Sequence, residues 1–283
     1  MANEIGVTEV GATSQDIVAS IVQETLKQES LLIPTILDYS LYAGKGAQSV
    51  KIPRRNQFTA ADKVENTDLT AQELTFAVDT ITLNKNKAIY SKLERIAELQ
   101  AMPNVEAEIL IEMAKELALQ IDKDIIVELK LASSSAPDHI LDYVDTATNV
   151  IADADILEAR RLLNVQKVPQ TDRFLLIGPD KEKQMLSIAN FIEQDKYGPN
   201  VAIMKGELGM VRGFRVIMHT ELEAINSIFY HKSAVGMALQ LAPEFSMDKQ
   251  LRSTSKEYLL QQIYGLEVLD SGKRQVFFNG TGS

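Results

Sequence analysis

Three glycines in KGELGMVRGFRVIMHT, residues 205–220, are the nearest this chain comes to a phosphate cradle. A dinucleotide fingerprint needs G-x-G-x-x-G after a strand and opening a helix, because the helix N-terminus supplies the amides that hold a pyrophosphate. Gly206, Gly209 and Gly213 are spaced G-x-x-G-x-x-x-G instead, and Phe214, Val216 and Met218 then alternate with Arg215, Ile217 and His219. That period of two reads as a strand, so the three glycines are expected to be structural turns. The histidines, His139, His219 and His231, lie tens of residues apart, with no HExxH or HxH to aim two rings at one metal. There is no G-x-S-x-G elbow and no Walker sequence; GKGAQS at 44–49 lacks the spacing and runs into a strand. Carboxylates such as those of EAEILIE lie along a helix face, where solvation is the usual role. With no cysteine, disulfides, thiolate metal sites and a Cys nucleophile are excluded. The expectation is no catalytic, cofactor-binding or metal-binding residue, and no enzyme.

Composition points the same way. The chain has 283 residues, enough for a sizeable core, with 29 Lys plus Arg against 39 Asp plus Glu and a net charge of -10. No stretch gathers the positive residues into the patch that a sequence-reading nucleic-acid binder needs to neutralise phosphates. Apolar runs such as Phe174 to Ile177 are far shorter than a membrane span of roughly 18 residues or more. MANEIGVTEV has neither a basic nor an apolar signal region, so NGT at 279–281 carries no glycosylation meaning. A soluble, cytosolic product without a membrane partner is expected.

The elements that could position a function are more informative. QDIVASIVQETLKQES, 15–30, puts Ile17, Ile21, Val22 and Leu26 on one helical face behind a Ser14 cap, with Pro34 stopping the pattern. Residues 46–90 instead hold two extended patterns, one with Val50 and Ile52, the other with Leu74, Phe76 and Val78. Between them FTAADKVENTDLTAQ is polar and reads as the tip of a long hairpin. Such a ribbon is marginal alone in water and needs support from outside itself. PNVEAEILIEMAKELALQIDKDIIVELKL, 103–131, is the longest helical signal, with Val105, Ile109, Met113, Leu117, Ile121 and Ile125 at spacing four. At 1.5 Å per residue it would run on the order of 40 Å. After a break at SSSAPDHI, a mixed unit begins near 150: a helix ILEARRLLN with a capping pattern at Asp155 and Glu158, the strand FLLIGPD, the helix KEKQMLSIANFI, the glycine-punctuated strand, and the strand and turn of SIFYHKSAVGMALQLA. The last segment, YLLQQIYGLEVLDSGKRQVFFNG, is expected to end in short extended pieces that return to the first unit. The fold class is α+β.

The order of these pieces resembles the major capsid proteins of tailed bacteriophages, the Hong Kong 97 type of fold. YSKLERIAELQ followed by LALQIDKDIIVEL is similar to that family's run from extended loop into spine helix. ILEARRLLNVQKVPQTDRFLLIGPDKEKQML resembles its helix, VP turn, strand and proline turn; GELGMVRGFRVIMHT, FYHKSAVGMALQ and YGLEVLD resemble its later strands. The resemblance implies an N-terminal arm (1–45) and an extended loop (46–90) lying on neighbouring subunits. It also implies a peripheral domain with the spine helix (91–149), an axial domain (150–248) and a return to the peripheral domain (249–283). The implied function is assembly through hexamers and pentamers into an icosahedral shell enclosing double-stranded DNA. An acidic chain suits that role, since DNA contacted weakly and without sequence preference can slide. The implied partners are copies of the chain, a portal, a separate scaffolding protein (the arm follows directly on Met1) and a decoration protein. The implied place is the virion, assembled in the host bacterial cytoplasm. Some relatives cross-link through Lys and Asn; Lys63 and Asn66 lie near the loop tip, but nothing distinguishes them from solvated residues.

Charge suggests an assembly interface. Lys51, Arg54 and Arg55 make the base of the loop basic, and Asp62, Glu65, Asp68 and Glu73 make its tip acidic. This polarity could set register against an acidic spine helix (Glu108, Glu112, Glu116) on one neighbour and a basic patch on another. The plainer reading is a solvated loop, because an exposed pair contributes only ~0–1 kcal/mol. Two rival functions share parts of this pattern: an encapsulin-like nanocompartment shell, and a nucleotide-using α/β enzyme, which the glycine spacing disfavours.

Overall fold

The computed structural model describes residues 30–44, 46–56, 58–95, 105–146, 149–187, 209–250, 252 and 254–280. The amphipathic segment 15–29 and Gly206 lie outside the described residues, as do the end of the anticipated helix KEKQMLSIANFI and the whole stretch 188–208.

Two sheets share one long helix. The first has the order β1-β10-β11-β4, from β1 (Leu37–Asp38), β10 (Val235–Gln250), β11 (Ser255–Val268) and β4 (Lys85–Glu94). The second has the order β5-β12-β9-β6-β8-β7, from β5 (Ile140–Leu141), β12 (Gln275–Phe278), β9 (Ser227–His231), β6 (Arg173–Ile177), β8 (Phe214–Met218) and β7 (Met210–Val211). A separate two-stranded ribbon pairs β2 (Ser49–Arg55) with β3 (Phe76–Thr82).

Helix α1 (Val105–Lys130) runs 26 residues, about 39 Å at 1.5 Å per residue. Its spacing-four stripe is the reason it packs: Met113, Leu117, Ile121 and Ile125 are buried with Leu260, Tyr264 and Leu266 of β11 and with Leu176, Ile228 and Tyr230 of the second sheet. The other face of the second sheet carries Leu175, Ile177, Phe214, Phe229, Val276 and Phe278 against helix α2 (Asp153–Val165), through Ile156, Ala159, Leu162 and Leu163. Strand β6 therefore reads as an unbroken apolar run, because both its faces are covered. Helix α3 (Pro179–Ser187) follows β6 after Gly178.

Several expectations are revised. Helix α2 starts at Asp153, two residues before the anticipated cap. Asp155 instead reaches back from inside the first turn and accepts the backbone N–H groups of Ala152 (2.7 Å) and Val144 (2.9 Å). Ahead of its short last strand β12, the closing segment holds one long strand, the 14-residue β11, which pairs with β10 on one side and β4 on the other. Residues 249–283 also do not stay together, since β12 leaves the first sheet and pairs with β9 and β5 in the second. Conversely β10, lying before residue 250, is a full member of the first sheet. Its pairing with β11 slips between Leu239 and Glu244, where Pro243 has no N–H to give a ladder. Strand β4 occupies the stretch between loop and helix where no strand was anticipated.

At the glycines of the opening stretch, Arg212 (φ 49°) and Gly213 (φ 89°) turn β7 directly into β8. Successive positive φ values are what a tight two-residue hairpin requires. Among the described residues no helix begins at β8, so no helix N-terminus follows Gly213.

Candidate functional site

The surface from which this chain can act is built by the ribbon, the spine helix and the point where the N-terminal segment joins them. The ribbon has two faces, fixed by its register: Val50 pairs with Ile81, Ile52 with Asp79 and Arg54 with Ala77. Of these, Val50, Ile52, Arg54, Asp79 and Ile81 face the body, where Val50 and Ile81 close a small core with Ala43 and Ala238. The backbone comes very near β11 here; a Cβ on Gly265 would lie 2.3 Å from the Thr82 carbonyl oxygen. Only glycine admits that approach.

Charge reinforces the attachment. Arg54 ion-pairs with Asp270 and lies 3.8 Å from Asp79. The Asp79 carboxylate also accepts the Asp270 backbone N–H at 3.2 Å, and Arg274 pairs with Asp270 at 3.2 Å. Arg54, anticipated in the basic base of the loop, is thus paired inside the chain. Lys51 and Arg55 alternate to the opposite, exposed face, beside Pro53, Phe76, Val78 and Thr80.

Beyond the ladder the loop is held by side-chain rungs. Asn56 donates to the Glu73 carbonyl (3.0 Å) and accepts the Thr75 N–H (3.1 Å), and Gln72 accepts the Thr59 N–H (2.8 Å). The loop beyond the ladder is solvated: Asp62, Glu65, Asp68 and Glu73 are exposed, together with Phe58, Val64, Leu69 and Leu74. Lys63 donates to the Thr67 carbonyl at 2.9 Å, and Asn66 takes φ 65° in the turn. Glu108, Glu112 and Glu116 are likewise exposed along α1. Among the described residues, none of Lys51, Arg55, Asp62, Glu65, Asp68, Glu108, Glu112 and Glu116 has an ion-pair partner in the chain.

The inner side of the spine is charged as well, and there every charge is answered. Asp124 faces Lys85 (3.7 Å) and Lys87 (3.5 Å) of β4, and Lys85 also reaches Glu128 at 3.3 Å. The Tyr264 hydroxyl donates to Asp124 at 2.7 Å; burial and that carboxylate push its pKa up.

One buried carboxylate joins three parts of the chain. Asp122 of α1 accepts the Ser30 hydroxyl (2.6 Å) and the backbone N–H groups of Leu31 (3.0 Å) and Leu32 (3.4 Å). His219, just past β8, sits 3.3 Å from the same group. The Asp122 and His219 side chains are 2% and 4% exposed, so this is an anchor and not a reaction site. The other histidines hold backbone and hydroxyl partners: His139 Nδ1 lies 2.8 Å from the Gln275 carbonyl, and His231 Nδ1 lies 2.8 Å from Ser233 Oγ. Burial lowers the pKa of both rings. Among the described residues no group of three or more His, Cys, Asp or Glu could hold a metal, and no helix is long and apolar enough to cross a membrane.

Sequence reasoning missed Asp79, Asp122 and Asp270 as partners. The one available signal was positional: Asp79 falls between Ala77 and Ile81 on the inward phase of β3, and Asp122 beside Ile121 near the apolar stripe of α1. A carboxylate on a buried phase needs a donor, but the sequence does not say which.

Comparisons with known proteins agree with this arrangement. The model of a family described as phage capsid protein matches residues 75–245. No curated protein matches the chain. Among solved structures it is similar to one from Mycobacterium phage Che8, with a TM-score of 0.73 and 20% identity over 90% of this chain and 92% of that one. It is also similar to the cyanophage Pam1 capsid asymmetric unit, with a TM-score of 0.74 and 12% identity over 90% and 93%. A virus-like particle from Pyrococcus furiosus gives a TM-score of 0.64 and 10% identity over 94% and 99%. At such identities the likeness carries the fold, which is the Hong Kong 97-like capsid fold with its loop ribbon and spine helix. The family match spans well over half of the sequence, taking in β3, β4, the spine helix, the strands of the second sheet other than β12, and β10 as far as Phe245, and the chain belongs to the phage capsid protein family.

Proposed function

We propose that this chain is the major capsid protein of a tailed bacteriophage, whose copies gather in hexamers and pentamers and close an icosahedral shell around double-stranded DNA. The observation that carries the reading is the outer face of the ribbon and its loop. Phe58, Val64, Leu69, Phe76 and Val78 are each more than half exposed, on a ribbon and loop that, among the described residues, have no second layer on that side. A neighbouring copy would complete it. The proposed extents of arm (1–45), extended loop (46–90), peripheral parts and axial domain (150–248) follow the resemblance, except that β10 pairs within the first sheet and β12 within the second. A portal, a separate scaffolding protein and a decoration protein are the further partners this reading implies, in a virion assembled in the bacterial cytoplasm.

Electron microscopy of the purified chain tests this, with extraction of nuclease-protected nucleic acid from any particles. Closed shells with fivefold and sixfold clusters are expected, and a persistent monomer at assembly concentrations would overturn the reading. The similarity to the Pyrococcus furiosus particle favours a second reading, a nanocompartment shell. Particles that protect a protein cargo and no DNA when purified from the native source would select it.

A further inference from the structure

We propose that the free edge of β4 takes residues 68–74 of a second copy as an added strand, so that a neighbour's loop extends the first sheet through main-chain hydrogen bonds.

The two edges of that sheet differ. Along β10 the ladder slips between Leu239 and Glu244, Pro243 has no N–H, and β1 covers Gly236 and Met237. Such breaks keep an edge from templating other chains. Strand β4 has none of them. It pairs with β11 along its whole length, from Lys85 opposite Tyr264 to Glu94 opposite Ser255, with no proline, glycine or bulge. The Arg95 N–H continues that register by donating to the Thr254 carbonyl. Residues of odd number therefore turn their backbone groups to β11, and Asn86, Ala88, Tyr90, Lys92 and Glu94 turn theirs to the open edge. All five are exposed, and among the described residues no strand lies beyond them.

The loop supplies the complementary half. Residues 67–75 take neither helix, strand nor turn, and they lead directly into β3. From Asp68 to Gln72 no backbone N–H or carbonyl has a partner among the described residues; the rungs to Thr59 and Asn56 use the Gln72 side chain and the Glu73 carbonyl. DLTAQEL, 68–74, holds no proline or glycine. As a strand it spans about 24 Å, against about 34 Å for β4. An extended segment with free backbone groups is what an open sheet edge accepts.

Charge favours this occupant over a second β4. Lys85 and Lys87 are answered by Asp124 and Glu128 of α1, and the exposed charges that remain, Lys92 and Arg95 against Glu94, leave the edge basic. Two such edges repel, whereas the loop carries Asp62, Glu65, Asp68 and Glu73 against Lys63 alone. The inference rests on the shell reading and goes beyond it in naming the edge and the segment. The added bonds set the direction and spacing of the neighbour's loop, beside the apolar face of the ribbon.

Hydrogen–deuterium exchange of wild-type particles and of the free chain, resolved to single amides, reads the pairing directly. On assembly the amides of Asn86, Ala88, Tyr90, Lys92 and Glu94 and alternate amides of 68–74 are expected to slow together, by about tenfold or more. Those of Lys87, Ile89 and Ser91 are already slow in the free chain. Ala88→Pro removes an outward N–H and nothing from the ladder with β11. It is expected to fold, yet to assemble only at several-fold higher protein concentration, while Ala88→Val keeps the N–H and assembles as wild type does. Wild-type particles in which 68–74 exchange as fast as in the free chain would overturn the inference and leave the shell reading standing. Protection of β4 without 68–74, or assembly of Ala88→Pro at the wild-type concentration, would do the same. Protection of both segments already in the free chain would put the loop on its own β4 and overturn it too. Wild type that forms no assembly at any concentration would defeat both readings.

Discussion

Arg54 and Arg55 are adjacent in sequence and opposite in role, because one residue along a strand reverses the face. Arg54 holds the ribbon to the body through Asp79 and Asp270; Arg55 points outward beside Phe76. Arg54→Ala takes the guanidinium from the partly buried Asp79 and leaves Asp270 with Arg274 alone, and is expected to lower chain stability by about 1–2 kcal/mol, read by urea unfolding. Arg55→Ala should stay within about 0.5 kcal/mol of wild type and show itself only in the salt dependence of assembly. If the two variants unfold alike, the division of labour is wrong. Lys181 is a second residue with a legible cost. It is buried in α3, its ammonium 3.8 Å from the Tyr143 ring centre and bonded to the Asn149 carbonyl; burial lowers its pKa to about 8. Between that value and the ordinary lysine value the unfolded chain holds the extra proton, so stability from this group rises as pH rises from about 8 to 10. Burial of Tyr143, Tyr230 and Tyr264 pushes their pKa values up and opposes this trend above pH 10. Comparison with Lys181→Met cancels the tyrosines: melting curves at pH 8 and 9.5 should show wild type gaining on the variant, and parallel curves would rule the account out.

The ribbon as an element depends on how closely its backbone approaches β11 at Gly265. Gly265→Ala puts a methyl into the Thr82 carbonyl, and since backbone rather than a flexible side chain must move, the expected loss is about 1–3 kcal/mol. Limited proteolysis should then cut within 56–75 faster than in wild type, while β6 and α2 stay protected. Uniform loosening of the whole chain would show that the ribbon is not a separable element. How far each element could be read in the sequence follows from how local its determinants are. Helix α1 announced itself through a spacing-four stripe, and β6 through an apolar run. Strand β4 did not, because its inward positions include Lys85 and Lys87, which mimic a surface and are satisfied only by Asp124 and Glu128 of α1. The length of β11 was obscured by Gln262, a fully buried amide on its inward phase between Leu260 and Tyr264. The crossing of β12 into the second sheet rests on long-range pairing with β9 and β5, which leaves no local pattern. The charged base of the loop was visible as composition, but the split between Arg54 and Arg55 required register and the distant Asp270.

At the scale of the whole molecule, two surfaces compete to explain why copies would associate: unpaired charges along the tip and spine, and the uncovered apolar face of the ribbon. Magnitude favours the second. Exposed ion pairs give ~0–1 kcal/mol each and weaken with salt, and a chain of net charge -10 repels its copies over long range. Removing a large apolar side chain from water gives about 1.5–3 kcal/mol, and Phe76 and Val78 each have over half their surface available. Their side of the ribbon takes no part in the ribbon-base core formed by Val50 and Ile81, so changing them should leave the single chain intact. Phe76→Asp/Val78→Asp is therefore expected to unfold at the wild-type temperature as an isolated chain, yet to sediment as small species and form no closed particles at low or high salt. Loss of particles at low salt alone, with recovery at high salt, would mean that the added charge and not the lost apolar contact was at fault. Particles at wild-type yield would show that this face does not drive assembly, and would return the charged tip and spine to first place.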